Sequence, residues 1–212
     1  MLPFLRDPAA CFVPVILTAL LLLAIGYLLG SMPNGYLAGR WLKGIDLRNC
    51  GSGSTGATNV LRNVGKGPAL VVFLLDVGKG ALAVLLAKQV GLNDWLQVLT
   101  GLAALAGHIW PVWLGWKGGK AVATGLGLFL GLAWPVGLAS LGIFLAVISI
   151  FQIVSLSSVA AAMALPVLMM ATDQNTASIT VSVVAMLLVL WRHRSNIERL
   201  IAGTEPEIGQ KS

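Results

Sequence analysis

Long apolar runs separated by short polar segments set the pattern of this chain. Residues 12–29, 68–87, 95–114, 156–171 and 176–191 each form such a run. About 20 apolar residues cross roughly 30 Å of hydrocarbon as a helix, so each run predicts a membrane span. Residues 121–153 are apolar for longer than one ordinary span needs, and Pro135 interrupts them close to Gly131 and Gly137. They read as two short spans, 121–134 and 136–153, folding back near Trp134 and shielded by protein. The pattern predicts an all-α integral membrane protein, a seven-span helical bundle forming a single membrane-embedded domain.

The polar segments orient this bundle. Arg40, Lys43, Arg48, Arg62 and Lys66 share the connection after the first span, Lys117 and Lys120 follow the third, and Arg192, Arg194 and Arg199 follow the last. Basic loops stay cytoplasmic, so the N-terminus is expected outside and the C-terminus in the cytoplasm. A single long span over 121–153 would put the basic tail outside, which favours two. Of the 14 Lys and Arg, all but Arg6, Lys79 and Lys88 then lie on the cytoplasmic face. Arg6 ahead of an apolar stretch resembles a signal peptide, but the stretch is long and no small-x-small cleavage site follows, so it is read as an uncleaved span.

Composition agrees. The 212 residues are 57% hydrophobic and only 10% charged, and mean hydropathy is +0.88. Inside a bilayer, close packing through small residues and interhelical hydrogen bonds replaces the drive of water exclusion, a role suited to many of the 25 glycines. The net charge of +6 would suggest nucleic acid in a soluble protein; beside membrane spans it suggests topology first and an anionic ligand or headgroup second. Cys11 and Cys50 sit at opposite ends of the first span, too far apart for a disulfide.

Three cytoplasmic segments carry the candidate chemistry. Residues 49–62, NCGSGSTGATNVLR, combine three glycines with four hydroxyls, the amide of Asn59 and the guanidinium of Arg62, a composition suited to a phosphate. Their match to GxGxxG is accidental, because no strand precedes it and Asp76, twenty positions after Gly56, lies within a span. Residues 117–127, KGGKAVATGLG, place Gly118, Gly119 and Lys120 just before a helix start, where free N–H groups and the dipole attract anions; the segment is not a Walker loop. Residues 191–205 put His193 and Asn196 three apart on one helix face, with Glu205 beyond and able to pair with an arginine. Each segment alone could be a solvated loop, a basic turn or a surface helix. Their shared face argues for one composite site. Asp76 and Lys79, at i and i+3 within a span, are either a structural ion pair or substrate contacts.

Several chemistries lack their residues. No metal cluster is visible, paired aspartates for Mg²⁺-dependent phosphotransfer are missing, and no nucleophile triad is evident. The HxxxxD pair of common glycerolipid acyltransferases is absent: His108 is followed by Trp113 and His193 by Glu198 at that spacing.

Taken in order, GSMPNGYLAGR, DLRNCGSGSTGATNVLR, the DxxKG of the second span, GHIWPVWLGWKGGKAVATGLG and RHRSNIERLIAGTEPEIG resemble the acyl-phosphate-using membrane glycerol-3-phosphate acyltransferases of bacterial phospholipid synthesis, the PlsY family. The resemblance covers nearly the whole chain. It implies transfer of an acyl chain from acyl phosphate, supplied by a separate enzyme, to the sn-1 hydroxyl of glycerol 3-phosphate. It further implies a site facing the cytoplasm of the bacterial inner membrane, with no cofactor or metal. By motif, Ser52, Arg62, Gly118, Gly119 and Lys120 would bind substrate phosphate, and His193 and Asn196 would serve the glycerol or the reacting groups. Asn59, Asp76, Lys79 and Glu205 would support them. Ser54 stands where the family usually has asparagine. An organic-phosphate transporter is the competing reading; it would need polar or broken helices at mid-membrane, and only Asp76 and Lys79 hint at that.

Overall fold

The computed structural model describes residues 8–209, with side chains from residue 15 onward, and it is helical throughout. Ten α-helices run in chain order: α1 (Pro8–Ser31), α2 (Asn34–Lys43), α3 (Ala57–Asn63), α4 (Lys66–Gln89), α5 (Asp94–Ile109), α6 (Val122–Leu132), α7 (Trp134–Phe151), α8 (Val154–Ala171), α9 (Thr176–Arg192) and α10 (Arg194–Ile201). The expected outer Arg6 lies outside the described residues, as does the side chain of Cys11.

Five segments are long and apolar enough to cross a membrane: Val15–Lys43, Lys66–Gln89, Asp94–Leu114, Trp134–Phe151 and Val154–Ala171. A sixth arises if α9 and α10, bent by 63° at their junction, count as one broken span. The seven expected from sequence are therefore not all present by length. The shortfall is α6, whose 11 residues cover about 16 Å, roughly half the hydrocarbon thickness. Only one of the two expected short spans is short, since α7 has 18 residues. The chain breaks between them at Ala133, and Pro135 occupies the first turn of α7, where its missing N–H costs nothing.

Helices approach closely where glycine removes the side chain. A Cβ at Gly30 would strike the Ala104 backbone and one at Gly107 the Tyr27 carbonyl, so α1 and α5 touch backbone to backbone. Gly80 against Thr124 and Gly127 against Val77 do the same for α4 and α6. Between these seams, Val84, Leu105, Leu128, Phe129, Leu165 and Val181 form a buried apolar cluster. The Lys88 ammonium donates to the Leu132 carbonyl at 2.9 Å, satisfying the C-terminal end of the short α6.

The basic connection after α1 is more ordered than its polarity predicts. It folds as α2, a 3₁₀ turn (Leu47–Asn49) and α3. Gly35 and Gly39 let α2 lie against Thr55 and Leu47, and Gly44, in the left-handed region at φ 67°, ends the helix. These elements carry the first glycine-rich segment over one end of the bundle.

Candidate active site

A cavity of about 180 Å³ opens where the three polar segments meet. Its mouth is polar, lined by Ser52, Arg62, Lys120, His193, Asn196 and Glu205. Its depth is apolar, walled by residues that include Phe73, Phe129, Phe144 and Leu165. Asn59 and Asp76 also reach the wall. Gly118, Gly119 and Lys79 are not among its lining residues.

The first segment is held together by Asn59, which is 1% exposed. Its amide nitrogen donates to the carbonyls of Leu47, Cys50 and Ser54 at 2.8–3.0 Å. Its oxygen accepts from the Ser52 N–H at 3.3 Å and from Asn63 Nδ2 at 2.9 Å. Gly51 and Gly53 make the required left-handed turns, at φ 52° and 65°. Ser54 Oγ accepts the Gly56 N–H at 3.3 Å, a local turn contact. The Arg62 guanidinium makes no hydrogen bond or ion pair with any described residue, and so is available to a ligand at the mouth.

The second segment behaves differently. The N–H groups of Gly118 and Gly119 are donated at 3.1 Å to the carbonyls of Ile109 and His108, so neither is free for a phosphate. The turn instead delivers Lys120, whose ammonium donates to Asn196 Oδ1. Burial, partly opposed by Glu205 and reinforced by Arg199, Arg192 and Arg62, lowers the Lys120 ammonium to about 8. Ala121, at φ 59°, starts α6, and the first-turn residues Val122 and Ala123 line the same cavity.

The third segment is bent, not continuous. His193 occupies the junction of α9 and α10 at φ −103°, ψ 8° and is 3% exposed. Its Nδ1 lies 2.8 Å from the Val189 carbonyl, which can only accept; Nδ1 therefore carries a proton, and Nε2 of the neutral ring is left as a proton acceptor. Asn196 Nδ2 donates to Glu205 Oε1 at 2.6 Å. Ser155 Oγ donates to the same oxygen at 2.7 Å, and Arg199 Nε to Oε2 at 2.7 Å. Burial pushes the Glu205 carboxyl up, but these three donors outweigh it and hold the group below its usual value. Lys120, Asn196, Glu205 and Ser155 thus form one hydrogen-bonded string that joins the turn before α6 to α10, the segment after it and α8.

Asp76 and Lys79 pair at 2.8 Å, both nearly fully buried. Asn34 Nδ2 donates to the same carboxylate oxygen at 3.0 Å, and Lys79 donates to the Met32 carbonyl at 3.1 Å. The pair ties α4 to the connection between α1 and α2. Sequence reasoning left His108 and Ser155 without roles, yet both line the cavity. The available signal was a polar side chain at the end of an apolar run. Among the described residues, no group of three or more His, Cys, Asp or Glu side chains is arranged to hold a metal ion.

A cavity lined by Arg62 and Lys120 on one side and by apolar side chains on the other suits an amphiphile with a phosphate head. Comparison with known proteins agrees. The family model described as "Glycerol-3-phosphate acyltransferase" matches residues 20–203. A glycerol-3-phosphate acyltransferase of Parasynechococcus marenigrum (strain WH8102) is 84% identical over 212 residues, covering all of both chains. One of Synechococcus sp. (strain CC9902) is 82% identical, over 93% of this chain and 98% of the relative. The crystal structure of PlsY (YgiH), an integral membrane glycerol 3-phosphate acyltransferase, in its glycerol 3-phosphate form superposes with a TM-score of 0.87 at 39% identity, over 91% of this chain and 96% of that one. Its lysophosphatidic acid form gives 0.84 at 37% identity, over the same shares. The chain belongs to the PlsY family of membrane glycerol-3-phosphate acyltransferases.

Proposed function

We propose that this protein transfers an acyl group from acyl phosphate to the sn-1 hydroxyl of glycerol 3-phosphate, an acylation that begins phospholipid synthesis. The observation that carries this reading is the divided cavity, with the unpartnered Arg62 and the Lys120 ammonium at its mouth and Phe129, Phe144 and Leu165 below. Phosphate groups sit with the cations, and the acyl chain lies in the apolar depth. Ser52 and Arg62 hold the substrate phosphate together with Lys120, while Gly118 and Gly119 shape the turn that presents Lys120. Asn196 orients Lys120, Glu205 holds Asn196, and Asp76 with Lys79 braces the wall.

In the reaction, the hydroxyl oxygen attacks the acyl carbonyl carbon. The bond from that carbon to the phosphate oxygen breaks, and phosphate departs with the electron pair, leaving lysophosphatidic acid. Acyl phosphate is a mixed anhydride, so no acyl-enzyme, cofactor or metal is needed; positioning and charge stabilisation supply the acceleration. The hydroxyl proton passes to His193 Nε2 or to the departing phosphate, and the pH profile of His193→Gln distinguishes the two.

The surrounding assignments follow from the same reading. The chain crosses the bacterial inner membrane seven times, with the short α6 shielded by its neighbours, the N-terminus outside and the site on the cytoplasmic side. A separate enzyme supplies acyl phosphate, and nucleic acid is not a partner. Purified protein given acyl phosphate and glycerol 3-phosphate, with chelator present, is expected to release lysophosphatidic acid and phosphate. No product from protein that still binds glycerol 3-phosphate would sink the donor assignment; acyl thioesters run in parallel test the alternative donor. Labelling Cys50 with an impermeant thiol reagent from the cytoplasmic side checks the orientation.

A further inference from the structure

Gly119 is gripped by one residue from two directions. The His108 carbonyl accepts its N–H at 3.1 Å, and a Cβ at Gly119 would fall on His108 Nε2. A Cβ at Gly118 would strike the same carbonyl and the Pro111 ring. The other ring nitrogen of His108, Nδ1, faces Asp76 Oδ1 at 3.8 Å, and that oxygen is already fixed by Asn34 and Lys79. The imidazole is therefore wedged between a braced carboxylate and the backbone of the turn. It also forms part of the partition between the main cavity and a void of about 10 Å³ that Ser31, Asn34 and Thr55 help to line. Immediately after the turn comes Lys120, whose ammonium must reach Asn196 on α10.

We infer that His108 is a positioning residue: packed between Asp76 and Gly119, it sets the Gly118–Gly119 turn and so places the Lys120 ammonium at the substrate phosphate. It acts through the turn and does not touch the reacting groups. The small residue at 119 is then required by the imidazole, not by approach of a ligand. This assignment rests on the reading of Lys120 as a phosphate-binding cation.

The test compares wild type, Gly119→Ala, His108→Ala and the double variant, with kcat and the KM for glycerol 3-phosphate measured separately. Gly119→Ala is expected to raise KM by about thirtyfold, the order that overpacking produces. With the ring removed, the same methyl should change KM by less than about twofold, because coupled neighbours are not additive. His108→Ala alone should raise KM about tenfold with little change in kcat, and His108→Asn, which keeps a polar side chain beside Asp76, should recover part of the loss. The inference is overturned if the methyl raises KM equally in both backgrounds, since the glycine would then serve the ligand. It is also overturned if His108→Ala collapses kcat at unchanged KM, since the ring would then touch the reacting atoms. If His108→Ala does not fold, Gly119→Ala in the His108→Asn background replaces the double variant under the same criteria. A wild type that makes no lysophosphatidic acid would sink the functional reading on its own control. The cycle read as glycerol 3-phosphate affinity and melting temperature would still decide the role of His108.

Discussion

The two glycine-rich segments look alike in sequence and work differently. In the first, Gly51 and Gly53 serve backbone conformation, and the loop is tied from within by Asn59. In the second, Gly118 and Gly119 serve close packing, and the turn is tied from outside by His108 and Ile109. One loop presents an unpartnered guanidinium and the other a lysine already bonded to Asn196. A glycine beside a binding residue therefore does not by itself mean that a ligand approaches the backbone.

The largest expected effect falls on the first segment. Arg62→Ala should lower kcat/KM by about a thousandfold, because a charge-assisted contact disappears from a site with few other free cations. Near-normal kinetics would remove Arg62 from the site and leave the phosphate to Ser52 and Lys120. Asn59→Ala should destabilise the protein by roughly 2–3 kcal/mol, since several buried carbonyls lose their donor at once. An unchanged melting temperature would mean that the first loop is not internally tied. Gly53→Ala should lose about 1–2 kcal/mol through its left-handed backbone, and here removal of the His108 ring should give no relief.

The second segment should be the pH-sensitive one. Lys120 loses its proton as pH rises through about 8, so kcat/KM for glycerol 3-phosphate should fall about tenfold per unit above that value in wild type. Lys120→Arg should remove the break. Stability carries the opposite sign. A buried ammonium with a lowered pKa disfavours folding fully below about 8, and that penalty is relieved as pH approaches the ordinary 10.5. The smallest effect is expected at Ser54→Asn, less than about threefold in kcat/KM, because Ser54 Oγ serves a local turn contact that an asparagine side chain also makes.

The long helices were legible because hydropathy over tens of residues reflects the solvent around them. The break near Pro135 was legible for the same local reason, and the meeting of Arg62, Lys120 and His193 was anticipated from charge asymmetry alone. Helices α2 and α3 were not, because they are held by Gly35 against Thr55 and by Asn59 against distant carbonyls, contacts with no local signature. The carbonyl at the end of α6 is capped by Lys88 from another helix, a contact that local sequence does not reveal. The role of Gly119 depends on a histidine eleven residues earlier that folds back onto it, and spacing alone cannot distinguish that from a phosphate cradle.

Glu205 follows α10, and its carboxylate returns to Ser155 and Asn196. Synthesis runs from the N-terminus, so this carboxylate is made after every described helix. Until it arrives, Asn196 and Arg199 lack their partner and the rim of the cavity is unfinished. A chain cut just before Glu205 would therefore keep every described helix and still lack the acceptor that joins Asn196 and Arg199 to Ser155 at the cavity rim.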